Sequence, residues 1–257
     1  MEEQDNRHMI CPKCGAEQDD GSRECTRCGV IFAKIRVDAP TRTGSSAGEE
    51  TLGSLPVGRC IRDLFFSVKP GSDLFSLAGR SLLLVILTLW GVKFFSHPVA
   101  EAYAGESFLH LVNLPFHEAG HLFFRPFGEF MTALGGSLGQ LIMPLICLLT
   151  FLFKMRDPFA ASVAFWWFGQ NFMDMAPYIN DARDLDLILL GGYTGKDSPG
   201  IHDWEYILGR LNLLPYDHAL AGFANGLGMA CMVTACAWGG YVLYKGFRSS
   251  AEAPDIE

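Results

Sequence analysis

Apolar residues are concentrated in the middle of the chain, in five stretches separated by short polar segments. Stretches of about 20 apolar residues are long enough to cross a bilayer as α-helices, and two of these five contain no charged residue at all. The pattern therefore predicts a mostly α fold, a polytopic transmembrane helix bundle of about five spans: Leu77–Phe95, Phe108–Phe127, Phe130–Phe153, Phe159–Ile179 and Ala219–Tyr244.

The polar N-terminal region contains two C-x-x-C pairs, each followed by a glycine. Such pairs place four thiolates around one metal ion, and a segment this short needs the metal to fold. They predict a small N-terminal zinc ribbon with one structural zinc. Two disulfides are the alternative, but they would require an oxidising compartment. The four predicted ligands are Cys11, Cys14, Cys25 and Cys28.

Composition divides the rest of the chain. The segment after the ribbon is rich in Gly, Ser and Thr, as flexible linkers are, and the next segment mixes aromatic and basic residues, as membrane-surface segments do. The expected organisation is a zinc ribbon at 1–37, a linker at 38–58, an interfacial segment at 59–76, a transmembrane domain at 77–248 and a disordered acidic tail at 249–257.

The net charge of −8 argues against nucleic acid as a partner. The first residues lack the basic and apolar regions of a signal peptide, so we expect a cytoplasmic N-terminal ribbon on an integral, multi-pass membrane protein. Basic residues before the first span favour the same orientation. With five alternating spans, Lys154, Arg156, Lys245 and Arg248 would then face the opposite side.

The stretch "HEAGH" carries the candidate chemistry within an apolar segment. On a helix, His117 and His121 project from one face, so both imidazoles can bind one catalytic zinc. Glu118 can act as the general base towards water at that metal. Ionisable groups at membrane depth are costly, which favours a functional site over satisfied core residues.

A catalytic zinc normally has three protein ligands. Asp181 and Asp174, at the end of the fourth span, are the candidates for the third, and the alternation of spans puts them on the same side of the membrane as the motif, the cytoplasmic side. Asp203 is expected to be the N-cap of a helix beginning at Trp204. His202 is either part of that loop or a group that reaches back to the site.

These residues resemble the site-2 protease family of intramembrane zinc metalloproteases. His117, Glu118 and His121 match its H-E-x-x-H motif. Asn171, Pro177 and Asp181 follow the order of its N-x-x-P…L-D-G motif, with a longer spacing and with Ala182 in place of the glycine.

The resemblance implies a mostly helical membrane enzyme that hydrolyses peptide bonds of membrane-protein or peptide substrates. It implies Glu118 as the catalytic residue and Asp181 as the third zinc ligand. Asn171 would orient substrate or stabilise an oxyanion, although a helix–helix hydrogen bond explains it equally well.

The alternative function is a non-catalytic membrane scaffold or sensor whose ribbon binds a protein partner. A metal transporter is disfavoured because two spans carry no charge.

Overall fold

The computed structural model describes residues 8–11, 17–19, 22–26, 31–32, 57–68 and 74–251. The chain divides into two compact units, Met1–Gly53 and Ser54–Glu257. The predicted linker lies almost entirely outside the described residues, as do the last six residues of the predicted tail.

The first unit contains a small antiparallel hairpin. Strand β1 (His8–Ile10) pairs with β2 (Glu17–Asp19), with Met9 opposite Gln18. The side chain of Gln18 accepts hydrogen bonds from the backbone N–H and the hydroxyl of Thr26, which ties the following segment to the hairpin.

The second unit is built from helices, in agreement with the mostly α fold expected from the sequence. The predicted spans correspond to helices whose bounds differ from the expected ones by a few residues at each end. The helices are α1 (Val57–Phe66), α2 (Leu74–Phe95), α3 (Tyr103–Glu106), α4 (Phe108–Phe124), α5 (Glu129–Leu149), α6 (Pro158–Asn180), α7 (Asp203–Arg210) and α8 (Asp217–Ala251).

Three helical segments in the described part of the chain are long and apolar enough to cross a membrane: Leu74–Phe95, Glu129–Lys154 and Leu214–Ala251. The first is α2, the second is α5 with a π-helical turn at its end, and the third is α8 with the short 3₁₀ turn before it. The last helix continues to Ala251, into the segment expected to be a disordered tail.

Local sequence explains where α4 and α6 begin. The hydroxyl of Ser107 accepts a hydrogen bond from the N–H of His110, as an N-cap does. The carboxylate of Asp157 accepts one from the N–H of Ala160, and Pro158 occupies the first position of α6, where its missing N–H costs nothing.

The beginning of α2, the beginning of α6 and the end of α8 lie together at one end of the bundle. Arg80 of α2 forms a two-bond ion pair with Asp157, at 2.7 and 3.1 Å. Leu77 is buried in a cluster with Phe159 and Leu243. We refer to this as the basic end, because its cations are Arg62, Arg80, Lys154, Arg156, Lys245 and Arg248.

This arrangement corrects the expected alternation of five spans, which put Arg80 and Asp157 on opposite sides of the membrane. The reason is the course of α4. Its hydrogen-bond partners lie in the first turn and the middle of α5 and in the middle and second half of α6, so α4 does not return the chain to the basic end.

Glycines bring α4 and α5 into backbone contact. A Cβ atom at Gly120 would overlap the carbonyl of Gly135, and a Cβ atom at Gly139 would overlap the carbonyl of Phe116. A Cβ at Gly135 would lie 2.7 Å from the carbonyl oxygen of Gly120. The two helices can therefore approach this closely only because these positions lack side chains.

Candidate metal centre

His117 and His121 lie one above the other near the C-terminal end of α4, as their spacing predicts, with ring centroids 4.7 Å apart. Each ring is held through Nδ1 by an oxygen atom of α5. Nδ1 of His121 donates to the carbonyl of Thr132 at 2.8 Å, and Nδ1 of His117 lies 2.9 Å from Oε1 of Gln140. The Nε2 atom of each ring thereby remains available for another partner.

The third group at this position is Asp203, the first residue of α7. Its Oδ2 lies 3.4 Å from Nε2 of His117 and 3.3 Å from Nε2 of His121. Among the described residues, these three side chains form a group whose ligand atoms all lie within 4.8 Å of one another. The expectation that Asp174 or Asp181 joins the histidines is not met.

Either a proton or a metal ion could supply positive charge between these electron-rich atoms. A protonated imidazole bonded to a carboxylate brings N and O to about 2.7–2.9 Å. Two ligands on a tetrahedral zinc, with bonds of about 2.0–2.1 Å, lie about 3.3–3.4 Å apart. The observed 3.3 and 3.4 Å are compatible with a metal ion between these atoms, and also with long imidazole–carboxylate hydrogen bonds. The donor set, two imidazoles and one carboxylate, is also one that zinc prefers.

Tyr178, near the end of α6, fixes Asp203 in this position. Its hydroxyl accepts a hydrogen bond from the N–H of Asp203 at 2.9 Å and donates to Oδ2 of the same residue at 3.2 Å. Burial opposes ionisation of Asp203, but hydrogen bonds from His117 and His121 outweigh it and lower the pKa of this carboxyl below its usual value. This shift favours the ionised carboxylate that a metal ligand must be.

His202, rather than Asp203, is the N-cap of α7, which corrects the sequence-based expectation by one residue. Its Nδ1 accepts a hydrogen bond from the N–H of Glu205 at 3.1 Å. The ring is completely buried and packs against the tilted ring of Tyr178, with centroids 4.2 Å apart. Burial lowers the pKa of His202, so the ring is neutral and can accept this bond.

Asp181 organises the loop that leads to α7. Its carboxylate accepts hydrogen bonds from the N–H groups of Asp186 and Leu187, at 2.9 and 3.0 Å. One of its oxygens lies 3.4 Å from Nε2 of His202. Asp181 therefore contacts the residue that precedes Asp203, and it supports the third ligand position without occupying it.

Asp174 belongs to a separate polar network between α4 and α6. Its carboxylate contacts Nδ1 of His110 at 3.1 and 3.2 Å and accepts a hydrogen bond from Asn113 at 3.0 Å. Asn113 also donates to Gln170 and accepts from Trp167. We call these five residues the inter-helix network.

Asn171, the expected substrate or oxyanion residue, is completely buried in α6. Its amide donates to the carbonyl of Trp167, one turn earlier in the same helix. Its Oδ1 has no hydrogen-bond partner among the described residues. The structure does not bring Asn171 into the histidine–aspartate group, nor does it make the alternative helix–helix hydrogen bond.

Glu118 is exposed on α4, one residue beyond the first histidine. It is close enough to His121 and Tyr178 to interact electrostatically with both. Leu111, Pro115 and Leu122 are exposed on the neighbouring face of the same helix. The carboxylate of Glu118 therefore lies at the boundary between the candidate metal centre and an open apolar helix face.

Gly136 of α5 leaves room beside the two imidazoles. A Cβ atom at this position would lie 2.5 Å from Nε2 of His117 and 2.6 Å from Cε1 of His121. A side chain here would therefore occupy the space next to the nitrogen that faces Asp203.

In the first unit, Cys11 and Cys25 are both buried, each 1% exposed. Cys11 directly follows β1. Cys14 and Cys28 lie outside the described residues. One thiol of each expected pair is thus described, and the predicted zinc ribbon with its structural zinc stays a prediction.

No family model, curated protein or solved structure matched the chain significantly. The site therefore has to be understood from its own geometry. Sequence reasoning missed Asp203, Gln140 and Tyr178 as members of this site. The signal available for Asp203 was a second histidine–acid pair, His202 and Asp203, in a polar segment after the fourth span.

Proposed function

We propose that this protein is a membrane-bound zinc metalloprotease, and that His117, His121 and Asp203 are the ligands of its catalytic zinc. The observation that carries the proposal is the convergence of two Nε2 atoms and one carboxylate oxygen at 3.3–3.4 Å. The H-E-x-x-H residues and the resemblance to the site-2 protease family point to the same chemistry. The carboxylate from α7 takes the place of the family's aspartate.

Each neighbouring residue has a defined part in this proposal. Gln140 and Thr132 contact Nδ1 of the two imidazoles, so that each ring presents Nε2 to the site; metal-bound histidines commonly have such a partner on their other nitrogen. Tyr178 holds Asp203 by its N–H and its carboxylate. A bound zinc would supply a Lewis acid that polarises the scissile carbonyl and lowers the pKa of water.

Glu118 is the general base and acid. It removes one proton from the attacking water while the water oxygen forms a bond to the carbonyl carbon of the substrate. It then delivers that proton to the departing nitrogen as the C–N bond breaks, so water is consumed and a carboxylic acid and an amine are formed. Its position beside an exposed apolar face of α4 suits a substrate segment that is itself apolar.

We propose further that four helices, α2, α5, α6 and α8, cross the membrane, and that α4 enters only part of it. The basic end would then face the cytoplasm by the positive-inside rule. The candidate metal centre, beside the end of α6 and the start of α7, would face the opposite compartment. This reverses the side expected from the sequence, because α4 no longer counts as a crossing helix.

The test of the enzymatic proposal is Glu118→Gln in the full chain, reconstituted in liposomes with a set of single-span membrane proteins. We expect wild type to cleave at least one of them and the variant to lose cleavage while retaining wild-type zinc content. Newly formed N-termini, read by mass spectrometry, are the measurement. Zinc-loaded wild type that cleaves none of the substrates would favour the scaffold or sensor.

The membrane arrangement is tested by labelling with an impermeant thiol reagent in intact cells. In a background in which Cys60, Cys147, Cys231 and Cys236 are replaced by serine, a cysteine introduced at Ser198 should be labelled from outside. One introduced at Ser249 should be protected until the cells are opened. The reverse pattern would contradict the proposed orientation.

A further inference from the structure

A wide cleft of about 640 Å³ opens at the basic end, between α1 and the last turns of α8. It is lined by Arg62 and Phe66 of α1 and by Tyr241 and Lys245 of α8. Two of these residues are cations, two are aromatic and none is acidic. The cleft is remote from the candidate metal centre, which lies beside the other end of α6.

Aromatic residues mark the level of this cleft in the membrane. Near its C-terminal end, α8 carries Trp238, Tyr241 and Tyr244, followed by Lys245 and Arg248. Tyrosine and tryptophan collect where hydrocarbon meets headgroups, and cations lie just beyond them. The order along α8 is thus apolar, then aromatic, then basic, which places the cleft among the lipid headgroups.

Helix α1 is fixed to α8 at the same level. Trp238 donates a hydrogen bond to the carbonyl of Phe65, and Lys245 donates one to the carbonyl of Phe66, at 2.8 and 2.7 Å. Both carbonyls belong to the last turn of α1, where a helix has unpaired acceptors. The ring of Phe66 also packs edge-on against Tyr241, with centroids 5.3 Å apart. These contacts hold α1 and α8, the two walls of the cleft, in a fixed relative position.

The two cations of the cleft differ from Arg80 at the same end of the bundle. Arg80 is neutralised by Asp157, at 2.7 Å. Arg62 is exposed and has no hydrogen-bond or ion-pair partner among the described residues. Lys245 donates one N–H to the carbonyl of Phe66, and its other two N–H groups remain available to bind an anion. The cleft thus offers uncompensated positive charge.

We propose that this cleft binds the phosphate headgroup of an anionic phospholipid. Arg62 and Lys245 contact the phosphate, and Phe66 and Tyr241 contact the glycerol and the first part of an acyl chain. The phospholipid class follows from the position of the cleft at headgroup level and from the combination of cations with an aromatic wall. A soluble anion would use the charges but leave the aromatic wall exposed.

The test is thermal unfolding of the purified, delipidated full chain in neutral detergent, titrated with phosphatidylglycerol. We expect a saturable rise in Tm with this lipid and none with phosphatidylcholine or inorganic phosphate. Each removed cation should weaken binding about fivefold, so Arg62→Gln should shift the titration midpoint about fivefold and Arg62→Gln/Lys245→Gln about 25-fold. Arg62→Lys, which keeps the charge, should restore most of the response.

Arg125→Gln/Arg210→Gln is the matched control, because it removes two positive charges at a distance from the cleft. It should respond to phosphatidylglycerol as wild type does. If Lys245→Gln unfolds the protein, the single Arg62 variants still decide the question. A double variant that titrates like wild type, an equal rise with phosphatidylcholine, or a rise reproduced by inorganic phosphate alone would each overturn the proposal.

Discussion

Asp203 and Asp174 both contact histidines of α4, but in different chemical settings. Asp203 faces two Nε2 atoms at 3.3–3.4 Å, and the other nitrogen of each ring is already engaged by α5. Asp174 faces one imidazole at 3.1 Å and also accepts a hydrogen bond from Asn113 at 3.0 Å. The first carboxylate thus approaches two ring nitrogens together, whereas the second approaches one ring nitrogen and one amide donor.

The comparison shows why proximity of a carboxylate and a histidine does not identify a metal centre. What separates the two sites is where Nδ1 points. At His110 the Nδ1 atom itself contacts the carboxylate, which makes a satisfied pair between helices. At His117 and His121 the Nδ1 atom contacts an oxygen of α5 instead. The Nε2 atoms of both rings therefore face the same carboxylate oxygen of Asp203.

The largest expected effect is that of Asp203→Ala, which removes a proposed zinc ligand. Removing a group that only hydrogen-bonds to a metal ligand costs about 10–100-fold in metal affinity, so loss of a ligand itself should cost more than about 100-fold. Competition with a chromophoric chelator measures the affinity. Asp181→Ala is the control for a nearby carboxylate and should retain more affinity; equal losses from both would contradict the assignment of Asp203.

Next in size is Gln140→Leu, which leaves Nδ1 of His117 without an acceptor and should lower zinc affinity about 10–100-fold. Gln140→Glu keeps an oxygen acceptor at this position and should retain affinity near that of wild type. The same chelator competition distinguishes the two. If Gln140→Leu and Gln140→Glu have the same zinc affinity, the contact of Gln140 with His117 has no part in metal binding.

The smallest effect on zinc is expected for Asp174→Asn, which should leave the affinity unchanged and act on stability instead. The change removes a charge that His110 and Asn113 both contact, at a cost of about 1–3 kcal/mol in unfolding free energy. Unfolding in mixed detergent, monitored by circular dichroism, measures it. If Asp174→Asn lost zinc without losing stability, Asp174 would have to be counted as part of the metal centre.

The positions of the helices could be predicted from the sequence because they depend on local composition. The expected span Leu77–Phe95 compares with α2 at Leu74–Phe95, and Phe159–Ile179 with α6 at Pro158–Asn180. The histidine pair could also be predicted, since residues four apart share a helix face. Both inferences use the geometry of a single helix.

The third member of the group could not be predicted in the same way. Asp203 follows a segment without regular periodicity, residues 181–202, and its approach to α4 depends on how that segment folds back. The course of the segment is set by contacts such as those of Asp181 with backbone N–H groups. Apolar composition alone also leaves the number of spans open, because α4 is apolar enough to resemble a crossing helix although it does not reach the basic end.

The backbone contact between α4 and α5 at Gly120, Gly135 and Gly139 has a mechanical consequence. Because the two backbones meet directly, a side chain at any of these positions would push α4 and α5 apart and move His117 and His121 away from the α5 groups that hold them. Asp203 belongs to another part of the chain, reached through α6 and the loop after it. A metal ion shared by Asp203 and the two histidines would therefore tie this later part of the chain to the α4–α5 pair.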